Sequence, residues 1–143
     1  KEQSEGKIHF ERLLDWTKRP EEAVRHYSGT AIYSQKFQMN DKFSKSKPLY
    51  LGLGQVSISA KVLLNGVDLG VVWRKPFRVD ISKALKNGNN DLRIEVVNLW
   101  PNRLIGDKKL PENQQKTRTN MRVHEATSEL FPSGLLGPVT IQK

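Results

Sequence analysis

VSISAKVLLNGVDLGVVW, residues 56–73, is the stretch from which the fold can be read. Val56, Ile58, Ala60, Val62 and Leu64 alternate with Ser57, Ser59 and Lys61 up to an Asn65-Gly66 pair. Alternation with a period of two marks a strand with one buried face, because successive side chains point to opposite sides of a sheet. Asn-Gly between two such runs marks a hairpin, since both residues accept the positive φ that a two-residue type I′ turn requires. Paired positions in such a hairpin sum to a constant, so Leu64 faces Val67, Val62 faces Leu69, Ala60 faces Val71 and Ile58 faces Trp73. All four pairs set apolar beside apolar. A slip of one residue would bring Asp68 and Gly70 onto that face, so pattern and turn predict the same register.

Working outward, the same period recurs in Phe77, Val79 and Ile81 against Arg78 and Asp80, and in Leu92, Ile94 and Val96 against Arg93 and Glu95. Weaker strands are expected at 29–37, at 48–54 around Leu49, Leu51 and Leu53, at 119–124 around Met121 and Val123, and at 138–142. Between Ile81 and Leu92, Asp80 or Ser82 can cap one helical turn around Ala84 and Leu85 that Asn87 and Gly88 stop. Phe10, Leu13 and Leu14 have helical spacing, and Pro20 before Glu21 and Glu22 resembles a first helical turn. About eight short antiparallel strands with minor helix predict an all-β sandwich, and the long helices of a parallel α/β fold are missing.

The 143 residues suit one domain, with residues 1–22 as a lead-in. Apolar residues make up 36% and charged residues 27%, ordinary for a globular domain, and no apolar run approaches the roughly 18 residues of a membrane span. The N-terminal KEQSEGKIHFERL lacks the apolar stretch of a secretory signal, which leaves export open. With no cysteine, a disulfide framework, thiol catalysis and cysteine-ligated zinc are excluded. Lys and Arg number 24 against 15 Asp and Glu, a net charge of +9. That excess raises a polyanion-binding module as one reading. Its distribution speaks against nucleic acid: Lys42, Lys45 and Lys47, then Lys83 and Lys86, then Lys108 and Lys109 punctuate separate turns instead of forming one stripe.

Catalytic motifs fail for identifiable reasons. GLGQVS at 52–57 begins like a dinucleotide loop, but the third glycine is missing and a strand follows where a helix N-terminus must receive the phosphate. His124-Glu125 opens like a zinc-protease motif, yet Ser128 stands where the second histidine belongs, and His9 and His26 are distant in sequence. Ser28 sits in no nucleophile elbow. None of the 15 carboxylates lies in a motif that marks it as a glycosidase acid or base. No catalytic residue, metal site or cofactor is therefore expected.

What remains is an aromatic and polar set near strand ends: Trp16, Trp73, Arg74, Trp100, Asn102, Arg103 and Asp107. A pyranose packs its C–H face on an indole and offers its hydroxyls to planar donors and acceptors, so Trp73, Arg74, Trp100, Asn102, Arg103 and Asp107 are candidate carbohydrate-binding residues. The competing reading is structural. Trp73 continues the inward parity of Val67, Leu69 and Val71, and Trp100 that of Leu92, Ile94 and Val96, which places both indoles in the core or at its rim. Arg103 and Asp107 can equally form a salt bridge within the NRLIGD segment. Val97 and Leu99 have the wrong parity for that core and Leu63 interrupts a polar face, hinting at an apolar patch on one sheet's outer side.

KVLLNGVDLGVVWRKPFRVDISKALKNGNNDLRIEVVN, residues 61–98, resembles the sugar-binding domain of glycoside hydrolase family 2. The likeness rests on Asn65-Gly66, Pro76-Phe77, Asp80-Ile81 and Gly88-Asn89, with HYSGTAIYSQKF at 26–37 similar to that domain's first strand. NLWPNRLIGD at 98–107 and PSGLLGPVTI at 132–141 are more similar to the C-terminal ancillary domain of α-L-rhamnosidase-like bacterial hydrolases. The resemblance implies a galactose-binding-like jelly roll cut from a larger polysaccharide-degrading glycosidase, periplasmic or extracellular, whose two catalytic carboxylates lie in a separate barrel. It implies that the chain either binds carbohydrate or buttresses that catalytic domain. Some jelly-roll relatives carry structural calcium, but no Asp cluster here calls for one.

Overall fold

A computed structural model describes residues 6–40, 47–120 and 123–143. Nine strands occur among them: β1 (Gly29–Met39), β2 (Tyr50–Gly52), β3 (Gln55–Val56), β4 (Ser59–Leu64), β5 (Val67–Val72), β6 (Arg78–Asp80), β7 (Gly88–Asn98), β8 (Leu135–Gly137) and β9 (Thr140–Gln142). Two short helices accompany them, α1 (Glu22–Arg25) and α2 (Pro101–Asp107). The strands form antiparallel sheets in the orders β1-β7-β4-β5, β6-β2-β9 and β3-β8. The expected all-β sandwich is present.

The β4–β5 hairpin turns at Asn65 (φ 54°) and Gly66 (φ 79°), and Leu64 pairs with Val67 as the alternation requires. The expected register then breaks. Leu63 pairs with Asp68, but Lys61 pairs with Val71 and Ala60 with Val72, so Leu69 and Gly70 together oppose Val62. The extra residue is a β-bulge seated on Gly70, whose φ of 92° suits a residue without Cβ, and the Asp68 carboxylate accepts its N–H at 2.9 Å. Beyond the bulge the parity of β5 inverts: Val72 turns inward and Val71 turns out. Ala60, Val62 and Leu64 stay buried as expected, each apolar side chain contributing about 1 to 3 kcal/mol. Ile58, expected to face Trp73 in the core, instead precedes β4 and is exposed.

β7 lies between β4 and β1. It pairs with β1 along eleven residues, from Gly29↔Asn98 to Met39↔Gly88, and sends Leu92, Ile94 and Val96 inward. Leu51 of β2 and Val79 of β6 meet them from the second sheet, which closes a core also containing Leu53, Ile81 and Leu135. The helical turn after β6 forms as read: Ala84 and Leu85 both donate to the Ile81 carbonyl, and the Asp80 carboxylate accepts the Ser82 N–H at 2.8 Å. Two amides lock this turn to the hairpin. Asn65 Nδ2 donates to Asn90 Oδ1 and to the Ala84 carbonyl, both at 2.8 Å, while Asn65 Oδ1 accepts the Asp91 N–H at 2.9 Å. Buried Asn90 in turn bonds the Lys86 N–H and the Lys86 and Gly88 carbonyls. The Asn-Gly and Gly-Asn positions of the sequence are thus one hydrogen-bonded unit.

Two local expectations are corrected. Phe10, Leu13 and Leu14 form no helix; the Phe10 ring instead packs 6.0 Å from Tyr33 and Leu13 lies against the core. In the expected strand at 119–124, the described residues 119–120 and 123–124 are irregular, while 121 and 122, including Met121, lie outside the described residues. Pro20-Glu21-Glu22 does lead into α1. Trp16, which the strand pattern leaves unplaced, is buried against Tyr27 and Tyr33, and the Asp15 carboxylate accepts the Ser133 N–H at 3.1 Å, pinning the lead-in to the C-terminal segment.

The tightest backbone approach is Gly54 (φ 64°) against the Gly137 carbonyl, where a Cβ would collide with main-chain atoms that cannot rotate away. Gly54→Ala is expected to lower unfolding free energy by at least about 2 kcal/mol in urea denaturation, whereas Gly66→Ala, with open space around it, should cost about 1 kcal/mol from backbone strain alone.

Candidate functional site

Trp73 is 68% exposed and Trp100 62% exposed, so neither indole belongs to the core. The reasons differ. Trp73 follows the Gly70 bulge, which reverses its parity, whereas Trp100 leaves the strand before Pro101 starts α2 and no longer follows the β7 alternation. Val72 at the end of β5 pairs with Ala60, and Val97 near the end of β7 pairs with Ser59. The two strand ends thus flank the beginning of β4, and the topology brings both tryptophans to one end of the sheet. Arg74 lies with its guanidinium carbon 5.6 Å from the Trp73 ring centre, a cation–π contact on the surface.

The polar candidates divide. The segment at 101–107 is helix α2, with Pro101 at its first turn, where the missing N–H costs no helical bond. That winding turns Asn102 and Asp107 inward. Asn102 Nδ2 donates to the Phe131 carbonyl at 2.7 Å and Asn102 Oδ1 accepts the Phe131 N–H at 2.8 Å, so its amide fastens the helix to the C-terminal segment. Asp107 Oδ2 accepts the Thr117 N–H at 2.7 Å and the Thr117 hydroxyl. Among the described residues no ion pair joins Arg103 to Asp107; Arg103 stays half-buried on the helix surface. Trp73, Arg74, Trp100 and Arg103 thus remain available to a partner, while Asn102 and Asp107 are engaged inside.

The outer side of the four-stranded sheet carries an apolar patch that the sequence only hinted at. Val97 and Leu99 are exposed as their parity indicated, and Leu63 is half-buried. Val71, 57% exposed, and Ile32, 54% exposed, join them. Registry aligns Ile32, Glu95, Lys61 and Val71 across the four strands, so aliphatic groups alternate with charges held in the pairs Lys61–Asp68 (2.9 Å) and Arg93–Glu95 (3.0 Å). At the tryptophan end, a groove of about 380 Å³ is lined by Ile58, Leu99, Pro101 and Phe131. Among the described residues, no group of three or more His, Cys, Asp or Glu side chains gathers as a metal site, and no helix is long and apolar enough to cross a membrane.

One buried titratable group braces this end. His26 packs under α2, where a Cβ on Gly106 would lie 2.6 Å from its Cγ, and its Nδ1 is 3.0 Å from the Glu22 carboxylate. Its Nε2 is buried without a hydrogen-bond partner, and burial pushes the imidazole below its ordinary range despite Glu22.

The family described as glycosyl hydrolase 2 galactose-binding domain-like matches residues 14–129. The chain belongs to this family. Its fold is shared with a rhamnosidase from Novosphingobium sp. PP1Y, at 42% identity and a TM-score of 0.87 over 94% of this chain but only 13% of that one. A "Putative beta-glucuronidase" of Formosa agariphila is 39% identical over 95% of this chain and 14% of that protein. Ruminococcus gnavus beta-glucuronidase shares the fold alone, with 21% identity and a TM-score of 0.53 over 60% of the chain. The galactose-binding-like domain thus spans about one seventh of the length of the rhamnosidase and of the Formosa protein.

Two measurements check these assignments. Asn102→Ala should cost about 1 to 2 kcal/mol, because it removes both hydrogen bonds by which the buried amide holds the Phe131 main chain, whereas Trp100→Ala should stay within about 0.5 kcal/mol of the parent in the same denaturation experiment. For His26, a folded-state pKa below the unfolded value means that the unfolded chain binds the proton first as pH falls. Stability should be full above pH of roughly 6.5 and decline as pH falls below it, and His26→Gln should flatten that slope.

Proposed function

We propose that residues 1–143 form a single non-catalytic domain of a larger, exported glycoside hydrolase, and that the outer side of the four-stranded sheet seats it on a neighbouring domain of the same polypeptide. The observation that carries this is the exposed set Ile32, Val71, Val97 and Leu99 interleaved with paired charges. Each of these partly exposed aliphatic side chains forgoes on the order of 1 kcal/mol that full burial would recover. Mixed apolar and charged composition is what contacts between domains of one chain use. The relatives at about 40% identity are several times longer than this chain, so a covalently linked neighbour is the natural occupant.

A periplasmic or extracellular setting follows from polysaccharide degradation by the parent. The non-catalytic reading rests on the sequence, in which no carboxylate lies in a motif that marks it as a glycosidase acid or base, whereas glycoside hydrolysis needs a pair of carboxyl groups.

A second reading, carbohydrate recognition at the sheet end, is favoured by the exposure of Trp73 and Trp100 at one end of the sheet, with Arg74 against the Trp73 ring. The engagement of Asn102 and Asp107 in internal hydrogen bonds weakens it, because a sugar site needs convergent planar polar groups as well as an indole. The polyanion reading draws support only from the net charge of +9.

Supplying the catalytic domain of the parent hydrolase in trans and measuring association by sedimentation tests the first reading. The Val71→Lys, Val97→Lys double variant is expected to remain folded by circular dichroism and to bind at least about tenfold more weakly. Unchanged affinity would reject the assigned face, and binding lost only in Trp73→Ala, Trp100→Ala would move the contact to the sheet end.

A further inference from the structure

The opposite outer surface of the sandwich has a different chemistry. β2 is the central strand of the second sheet, with Leu49, Leu51 and Leu53 directed to the core and Tyr50 and Gly52 to the outside. Gly52 carries no side chain, so the Gln142 amide from β9 lies directly across it; a Cβ there would collide with Gln142 Nε2. Arg78 of β6 pairs with Gly52 and stacks its guanidinium 4.5 Å from the Tyr50 ring centre. The 73–77 connection then brings Lys75 and Pro76 over the same place. The result is an open cleft of about 410 Å³, floored by Gly52 and Gly54 and walled by Lys75, Pro76, Arg78 and Gln142. That volume falls within the roughly 300 to 1,000 Å³ of small-ligand sites.

Its charge is one-sided. No acidic residue lines the cleft, and among the described residues neither Lys75 nor Arg78 takes part in an ion pair. Stacking on Tyr50 orients the guanidinium fork, which lowers the entropy lost on meeting a planar anion. Gln142 Nε2 donates to the Thr140 hydroxyl at 3.1 Å, leaving its Oε1 to accept from a ligand hydroxyl. Pro76 supplies an apolar wall beside these polar groups.

We infer that this cleft binds a carboxylate-bearing sugar, a uronosyl unit, with Arg78 and Lys75 on the carboxylate and Gln142 and Pro76 against the ring. A neutral sugar would leave two cations uncompensated, and a single small anion would leave Gln142 and Pro76 unused. The site lies on the face opposite to the one assigned to a neighbouring domain, so it stands or fails independently of that contact.

The test is an NMR titration of the ¹⁵N-labelled chain with tri-galacturonic acid, run beside its fully methyl-esterified form, which keeps the rings and removes the charge. The expected result is saturable shifts confined to amides around 52–54, 75–78 and 142, with the ester at least about tenfold weaker. Lys75→Glu, an exposed change that should leave the fold intact by circular dichroism, is expected to weaken binding by at least the same factor. Arg78→Lys keeps the charge but loses the fork, and should retain part of the affinity. The inference is overturned if these amides do not shift at millimolar acid, if acid and ester bind equally, or if Lys75→Glu binds as the parent does.

Discussion

A single residue without a side chain, Gly70, sets which way half of the β5 hairpin faces. Its positive φ takes up the extra residue that β5 sets opposite Val62, and every side chain beyond it changes sides. Val72 reaches the core because of it; Val71 stands on the outer side and Trp73 at its end because of it. The cost is exposed aliphatic surface at the edge of a sheet, a place where proteins ordinarily put charge. The compensation nearby is partial: Lys61 reaches across to Asp68, and the bulge N–H is held by that same carboxylate. A domain that lived alone would gain from a polar residue at 71. The retained valine fits a surface that something else covers.

The rest of the architecture holds the two outer surfaces apart and rigid. The Asn65–Asn90 amides tie the hairpin tip to the helical turn and the start of β7, so the four-stranded sheet has little freedom to slide. At the other end, Asn102 and Asp15 bind the helix α2 and the N-terminal lead-in to the C-terminal segment. One side of the resulting sandwich is aliphatic with neutralised charges; the other has a glycine-floored, cationic cleft. A galactose-binding-like domain built this way can lean on a neighbour with one face while presenting the other to an acidic glycan.

Much of this was legible in the chain. Period-two alternation and Asn-Gly specified the hairpin, its turn and the inward faces of β4, β6 and β7, since burial of one sheet face leaves little choice of register. Val97, Leu99 and Leu63 gave early notice of the outer patch. The failures are equally physical. Unbroken alternation predicts inward parity through Gly70, although a glycine inside a strand pattern is itself a bulge signal, and a bulge there exposes Val71 and Trp73. Pro101 marked a helix start that the alternation up to Val96 concealed, and with the helix came the burial of Asn102 and Asp107. The cleft at Gly52 was not legible, because it depends on Gln142 and Arg78 meeting across strands 64 residues apart in sequence.

The most direct measurement of the central claim is an experimental structure of the complete parent polypeptide. The account expects Ile32, Val71 and Val97 to be buried against another domain of the same chain, with the Gly52–Arg78 cleft open to solvent. Finding that outer side solvent-exposed, with the domain attached through other residues or tethered by a linker alone, would contradict it.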